Sequence, residues 1–276
     1  MGRQNTYANP FILERADPFM IKADDGWYYF TASYPMKRGD DPEGYDRVIL
    51  RRSKTVDGLR EAEEITIWQA DEKTHTHRFI WAPELHYIGG TWYIFYAGSS
   101  YPKNNWAFDC NVLVCDSRDP YTGNWTEKGK FQKTEGDNFS FTGFSLDMTY
   151  FEAGGKHYVI WAQHSEVKIS CLYMAQINPA EPWKIITRPM LLTTPEYDWE
   201  KVRYAVNEGP AVLKHDGKIF VCFSASGTGP EYCVGALEAD ENADLLDIVA
   251  WTKFDRPLLT SEDLVDEYGP GHNSFT

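Results

Sequence analysis

The 276 residues carry 41 acidic and 27 basic side chains, a formal charge of −14, within a chain that is 42% hydrophobic and 25% charged. That balance repels phosphate backbones and anionic lipid surfaces, so nucleic acid and membranes are excluded as expected partners, and no apolar run approaches the roughly 20 residues of a spanning helix. Five cysteines, Cys110, Cys115, Cys171, Cys222 and Cys233, form no CxxC pair; their odd number argues against a disulfide framework and for buried free thiols.

From the N-terminus, the stretch MGRQNTYANPFILERADPF lacks the apolar segment of a secretory signal. It predicts a cytoplasmic protein, or a secreted one whose signal has been removed. The first element is then a β-hairpin: ADPFMIKADDGWYYFTAS from Ala16 alternates with period two, turns on Asp-Gly and alternates again. Three more stretches repeat the pattern: APELHYIGGTWYIFYAGS from Ala82, LDMTYFEAGGKHYVIWAQ from Leu146 and NEGPAVLKHDGKIFVCFSAS from Asn207. Each opens near an acidic residue. These lead residues, Asp17, Glu84, Asp147 and Glu208, are 67, 63 and 61 positions apart, and the turn glycines Gly26, Gly90, Gly155 and Gly217 are 64, 65 and 62 apart. One further step of 64 from Glu208 reaches His272 in YGPGHNSFT.

A unit of this length holds a four-stranded antiparallel blade, and its repetition about an axis is a β-propeller. Outer strands are predicted over 46–55, 110–117, 167–177 and 232–239, with at most a short helix over 260–268. The expected fold is therefore all-β, one five-bladed propeller domain over 1–276, with the fifth blade incomplete because the chain stops at Thr276. A solenoid or two stacked sandwiches would account less well for the lead carboxylates, which a propeller gathers around one funnel.

Asp17, Asp147 and Glu208 would repel one another there when ionised, which a fold tolerates mainly where function or a cation requires it. Two carboxyl groups across a sugar-sized funnel suit glycosidic bond hydrolysis, one protonating the leaving oxygen and one activating a nucleophile. The 15% aromatic content suits sugar faces and large β cores alike. His75, His77 and His86 lack the spacing of a zinc motif, and His86 on its alternating strand reads as a packing or sugar-contacting residue.

The ordered set RADP, WAPE, SLD, NEGP and GHNSF, running almost the whole chain, resembles glycoside hydrolase family 43, whose members are five-bladed propellers that cleave arabinose and xylose polymers with inversion. RADPF, GWYYFTAS, DRVILRRS, IWAPELHYI, PEYDWE and YGPGHNSF bring it nearest the exo-acting α-1,5-L-arabinofuranosidases. The resemblance implies Asp17 as general base, Glu208 as general acid and Asp147 as the carboxylate that tunes and orients the acid. It implies an arabinan, arabino-oligosaccharide or arabinoxylan substrate, no cofactor for the chemistry, and an axial calcium or ordered water at His272. Trp81 is expected to stack on the sugar, Trp27 and Ser145 to line the pocket, and Glu84 to support its wall, with His86 as a further contact.

The alternatives are a β-xylosidase or endo-arabinanase with the same triad, distinguished by the loops 34–46 and 100–109, and a carbohydrate-binding propeller without catalysis. A protein-interaction propeller of the WD-repeat kind lacks its Gly-His and Trp-Asp signature here. The family's later arginine, which helps hold the general acid, has no counterpart before Thr276. A truncated product, a longer parent protein, or strands lent by another chain in an oligomer are the three readings of that ending.

Overall fold

The computed structural model describes residues 9–35, 44–101 and 107–276. Four antiparallel blades follow one another along the chain. Blade 1 is β1 (Ala16–Lys22), β2 (Tyr28–Ser33), β3 (Arg47–Ser53) and β4 (Ile65–Gln69). Blade 2 is β5 (Arg78–Ile88), β6 (Thr91–Ser99), β7 (Phe108–Cys115) and β8 (Trp125–Lys130). In blade 3, β9 (Ser145–Ala153), β10 (Lys156–His164) and β11 (Ser170–Asn178) are edged by two short strands that both pair with β11, β12 (Glu181–Ile185) and β13 (Met190–Thr193). Blade 4 is β14 (Asn207–His215), β15 (Lys218–Ala225), β16 (Cys233–Asp240) and the short β17 (Thr252–Lys253).

The helical signal at 260–268 forms only a 3₁₀ turn, Ser261–Asp263, capped by Thr260. Among the described residues no helix is long and apolar enough to cross a membrane.

The second strand of each blade explains the stacking. β6 and β10 read TWYIFYAGS and KHYVIWAQH, with both faces buried, because a blade has a neighbour on each side. Three apolar cores fill the gaps between consecutive blades. Ile80, Leu85, Trp92 and Ile94 join Tyr29, Val48 and Leu50; Phe95, Val112 and Phe131 join Val159, Trp161 and Tyr173; Ile160, Leu172 and Met174 join Val221, Phe223 and Leu237. Smaller clusters sit on the remaining faces of blade 1, with Phe30, Ala32, Ile49 and Leu59, and of blade 4, with Cys222, Val234 and Ala236. All five cysteines are free and buried.

The register of the inner strands corrects the repeat read from the sequence. In β1, Ala16 pairs with Ser33 and Phe19 with Thr31, so Asp17 and Pro18 together oppose one residue, a β-bulge. The same bulge recurs at Ala82–Pro83, at Asp147–Met148 and at Gly209–Pro210. Its first residue adopts a left-handed backbone each time, with φ of 51°, 45°, 52° and 51° at Asp17, Ala82, Asp147 and Gly209. Proline suits the second position of three of them, since a bulge residue need not donate to the ladder. Asp17 and Asp147 are therefore true equivalents, whereas Glu208 stands one residue before the first residue of its bulge and Glu84 two residues after that of its own.

Candidate active site

A bulge turns its first residue out of the ladder and frees its amide for another partner. In two cases that partner belongs to the preceding blade, and the His272 amide, outside any strand, makes the same kind of bond. The amide of Ala82 donates to Ser33 Oγ at 2.8 Å, that of Gly209 to Asp147 Oδ2 at 3.0 Å, and that of His272 to Ser224 Oγ at 2.6 Å. The bulges thus lace the blades together around the axis at one end of the propeller, and the acidic side chains sit on the same turns.

Asp17 accepts a hydrogen bond from Ser33 Oγ at 2.5 Å through Oδ2, while its Oδ1 lies 3.3 Å from His272 Nδ1. The same imidazole nitrogen is 3.9 Å from Asp147 Oδ2. Asp147 is 8% exposed. Burial, with Glu208 and Asp17 adding their charge, pushes its carboxyl up to about 8, against the opposing pull of His272 and of the Gly209 amide. Glu208, half-buried, accepts a hydrogen bond from Tyr232 Oη at 2.8 Å. Burial raises its pKa above the usual carboxylate range, with Asp17 adding to the shift and Tyr232 and His272 opposing it. His272 is pushed the other way by burial, yet the carboxylates of Asp17, Asp147, Glu208 and Glu84 raise it overall, so the imidazolium is favoured.

One end of the axis therefore gathers Asp17, Asp147, Glu208 and His272 from three blades and the segment after them. A buried and a half-buried carboxyl group, Asp147 and Glu208, hold protons to higher pH than free ones, beside the Asp17 carboxyl engaged by serine and imidazole. That arrangement can deliver a proton from one side and accept one from the other.

The expected substrate contacts divide. Trp81, at the bulge of β5, lies against Phe108 with ring centroids 4.2 Å apart and meets Tyr45 edge-on at 5.8 Å. Its Nε1 is buried and has no hydrogen-bond partner among the described residues. Glu84 lies deeper along β5, where its Oε2 and His86 Nε2 share a hydrogen bond at 2.9 Å.

Three expectations are corrected. His86 is 4% exposed and packs against Phe19, Phe95 and Tyr150, so it fills the axis below the carboxylates instead of contacting sugar. Ser145 is wholly buried beside the core, out of a ligand's reach. Trp27 follows the β1–β2 turn, at the opposite end of the strand from Asp17, with Lys54 and Arg52 over its ring at 4.0 and 5.0 Å.

The residues around His272 do not make a calcium cage. Calcium takes six to eight oxygen ligands, whereas the residue expected to hold it offers an imidazole nitrogen already turned to Asp17. No group of three or more metal-ligating side chains occurs among the described residues, and no chemical step is assigned to a cation. Sequence reasoning missed Ser33, Tyr45 and Tyr232. Ser33 and Ser224 occupy the same place in their hairpins, each paired with the residue before the bulge, which is the signal that could have found them. Residues 36–43 and 102–106 of the two loops expected to set pocket depth lie outside the described residues.

Fold and site together define a β-propeller with carboxylates gathered at one end of its axis. The chain belongs to the glycosyl hydrolases family 43, whose pattern matches residues 7–276. It is 42% identical over 273 residues to an extracellular exo-alpha-(1->5)-L-arabinofuranosidase of Streptomyces avermitilis, covering 98% of this chain and 53% of that protein. A Streptomyces chartreusis protein of the same name is 41% identical over 99% of this chain and 79% of its own length. Alpha-L-arabinofuranosidase 43 of Humicola insolens is 41% identical, over 98% of this chain and 53% of its own. This chain thus spans about half the length of two of these three relatives.

Among solved structures, an alpha-L-arabinofuranosidase from Lactobacillus brevis superposes with a TM-score of 0.87 at 41% identity, covering 98% of this chain and 81% of that one. The cytoplasmic expectation drawn from the N-terminus does not stand: both Streptomyces relatives are named extracellular enzymes.

Proposed function

We propose that this protein is an inverting exo-α-L-arabinofuranosidase that releases single arabinoses from α-1,5-arabinan, arabino-oligosaccharides or arabinoxylan. The observation that carries the reading is the gathering of three carboxyl groups at one axial site, Asp147 buried, Glu208 half-buried and bonded by Tyr232, and Asp17 held by Ser33 and His272. Glu208 gives its proton to the departing glycosidic oxygen as the bond from that oxygen to the anomeric carbon breaks. Asp17 takes a proton from the water whose oxygen forms the new bond on the opposite face, so the anomeric configuration inverts. Asp147, buried at the same axis with its carboxyl pushed up to about 8, is the group proposed to orient Glu208.

The names of the three relatives and of the Lactobacillus structure support arabinofuranosides as the substrate class. Trp81 and Tyr45 offer the aromatic wall.

We propose also that the propeller has five blades. His272 carries a φ of 46° and stands 63 residues after Gly209, in step with the intervals of 65, 65 and 62 that separate the four observed bulges. Its side chain faces Asp17 of blade 1 across the axis, which is where a fifth inner strand belongs.

The test is arabinose release from an α-1,5-linked arabino-oligosaccharide, with the first-formed anomer followed by NMR. Asp17→Ala and Glu208→Ala are each expected to lower kcat by about 10²- to 10⁴-fold. Undiminished activity in either variant refutes the assignment. Release of internal fragments instead of single arabinoses, or release of xylose from a xylo-oligosaccharide with none of arabinose from this one, would move the substrate to the other readings of this fold.

A further inference from the structure

We infer that Tyr232 is the positioning residue of the general acid, and that the Gly-Pro-Gly segment 269–271 exists to hold its ring in place. The inference rests on the arabinofuranosidase reading above, and it concerns two features that reading leaves unused.

Tyr232 precedes β16 and is 8% exposed, and its hydroxyl donates to Glu208 Oε1 at 2.8 Å. With Oε1 occupied as acceptor, the acid's own proton belongs on Oε2, the oxygen left to meet the leaving group. A carboxylic acid free to rotate would present that proton in the wrong direction part of the time. The same hydroxyl bond strengthens as the proton departs, because the acceptor becomes a carboxylate, so its contribution is larger in the transition state than in the ground state.

The ring is held from the far side by the segment that carries His272. A methyl group on Gly271 would come within 2.0 Å of Tyr232 Cε1 and 2.2 Å of Cδ1, and one on Gly269 would come within 2.6 Å of the Gly229 carbonyl oxygen and 3.7 Å of Tyr232 Cβ. Gly269 has a φ of 65° in addition. The backbone therefore approaches the ring at Gly271 and the Gly229 carbonyl at Gly269 more closely than a side chain allows. Ser224 ties the two together, accepting from the His272 amide at 2.6 Å and lying next to the Tyr232 hydroxyl. The inner segment that places His272 beside the base thereby also sets the angle of the acid.

The discriminating experiment compares two substrates of wild type, Tyr232→Phe and Gly271→Ala: an arabinobiose, whose alkoxide is a poor leaving group needing full protonation, and a nitrophenyl arabinofuranoside, whose phenolate leaves with little help. Tyr232→Phe keeps the ring and is expected to lower kcat on arabinobiose by about 10- to 100-fold, with kcat on the nitrophenyl substrate reduced at most about threefold and KM within about twofold on both. Gly271→Ala, which retains the hydroxyl but displaces the ring, is expected to show the same selectivity for the poor leaving group. Equal losses on both substrates, or no loss on either, overturn the role of Tyr232 while leaving the arabinofuranosidase reading intact. A wild type that cleaves neither substrate overturns both. If Tyr232→Phe does not fold, the leaving-group dependence of Gly271→Ala decides.

Discussion

At the residue scale, Ser33 shows how one small side chain serves structure and chemistry together. Its hydroxyl donates to Asp17 and accepts from the amide of Ala82, so it joins the proposed base to the bulge of the next blade. Ser33→Ala leaves a buried N–H without its partner and the base without its anchor. The expected cost is about 1–3 kcal/mol of stability, read from urea midpoints, with kcat lowered by about tenfold and KM nearly unchanged. A variant as stable and active as the parent would show that the Ala82 amide finds another acceptor and that His272 alone orients Asp17. The three carboxylates were legible in the sequence because each stands in a repeated motif. Trp27 and Ser145 were misplaced because proximity to a motif in sequence does not say which end of a strand, or which face, reaches the funnel. Tyr232 left no signal at all, since its role comes from a ring packed under a distant glycine segment.

At the element scale, the inner-strand bulge organises the site. The alternation of period two revealed the hairpins, and all four predicted outer segments overlap β3, β7, β11 and β16. It could not reveal the extra residue, because a bulge shifts the register without disturbing the apolar pattern on either side. That is why Glu84 and Glu208 were taken as equivalents of Asp17, when Ala82 and Gly209 hold that place. Each bulge needs a left-handed residue, a conformation that costs an L-residue roughly 1 kcal/mol and glycine almost nothing. At Gly209 this freedom is joined to a steric demand, because a Cβ there would lie 3.2 Å from His272 Nδ1 and 3.4 Å from Ser224 Oγ. Gly209→Ala is expected to lose about 1–2 kcal/mol in denaturant unfolding and to reduce kcat/KM by pressing on the imidazole that faces Asp17. An unchanged midpoint together with unchanged kcat/KM would mean that the bulge relaxes freely and has no hold on the axis.

At the scale of the whole molecule, the blades are stabilised by three apolar cores, while the axis works against them by confining acidic groups. The pH dependence of folding should report this opposition. Burial favours the protonated form of Asp147 up to about 8, whereas in the unfolded chain it ionises near its ordinary value of about 4. Between those limits the folded protein binds more protons than the unfolded one, so stability falls as pH rises through the window. His272 acts in the same sense. Its raised pKa contributes stability fully present below its ordinary value of about 6.5 and lost as pH rises through the folded value. Asp147→Asn removes the first contribution outright, while that of His272 remains through Asp17. The melting temperature of the parent is therefore expected to drop more between about pH 5 and about pH 8 than that of Asp147→Asn, even as the variant loses activity on arabinofuranosides. Parallel melting profiles for the two proteins would show that the axial carboxyl is solvated well enough to titrate as it does in the unfolded chain, and that the propeller bears no cost for gathering its acids.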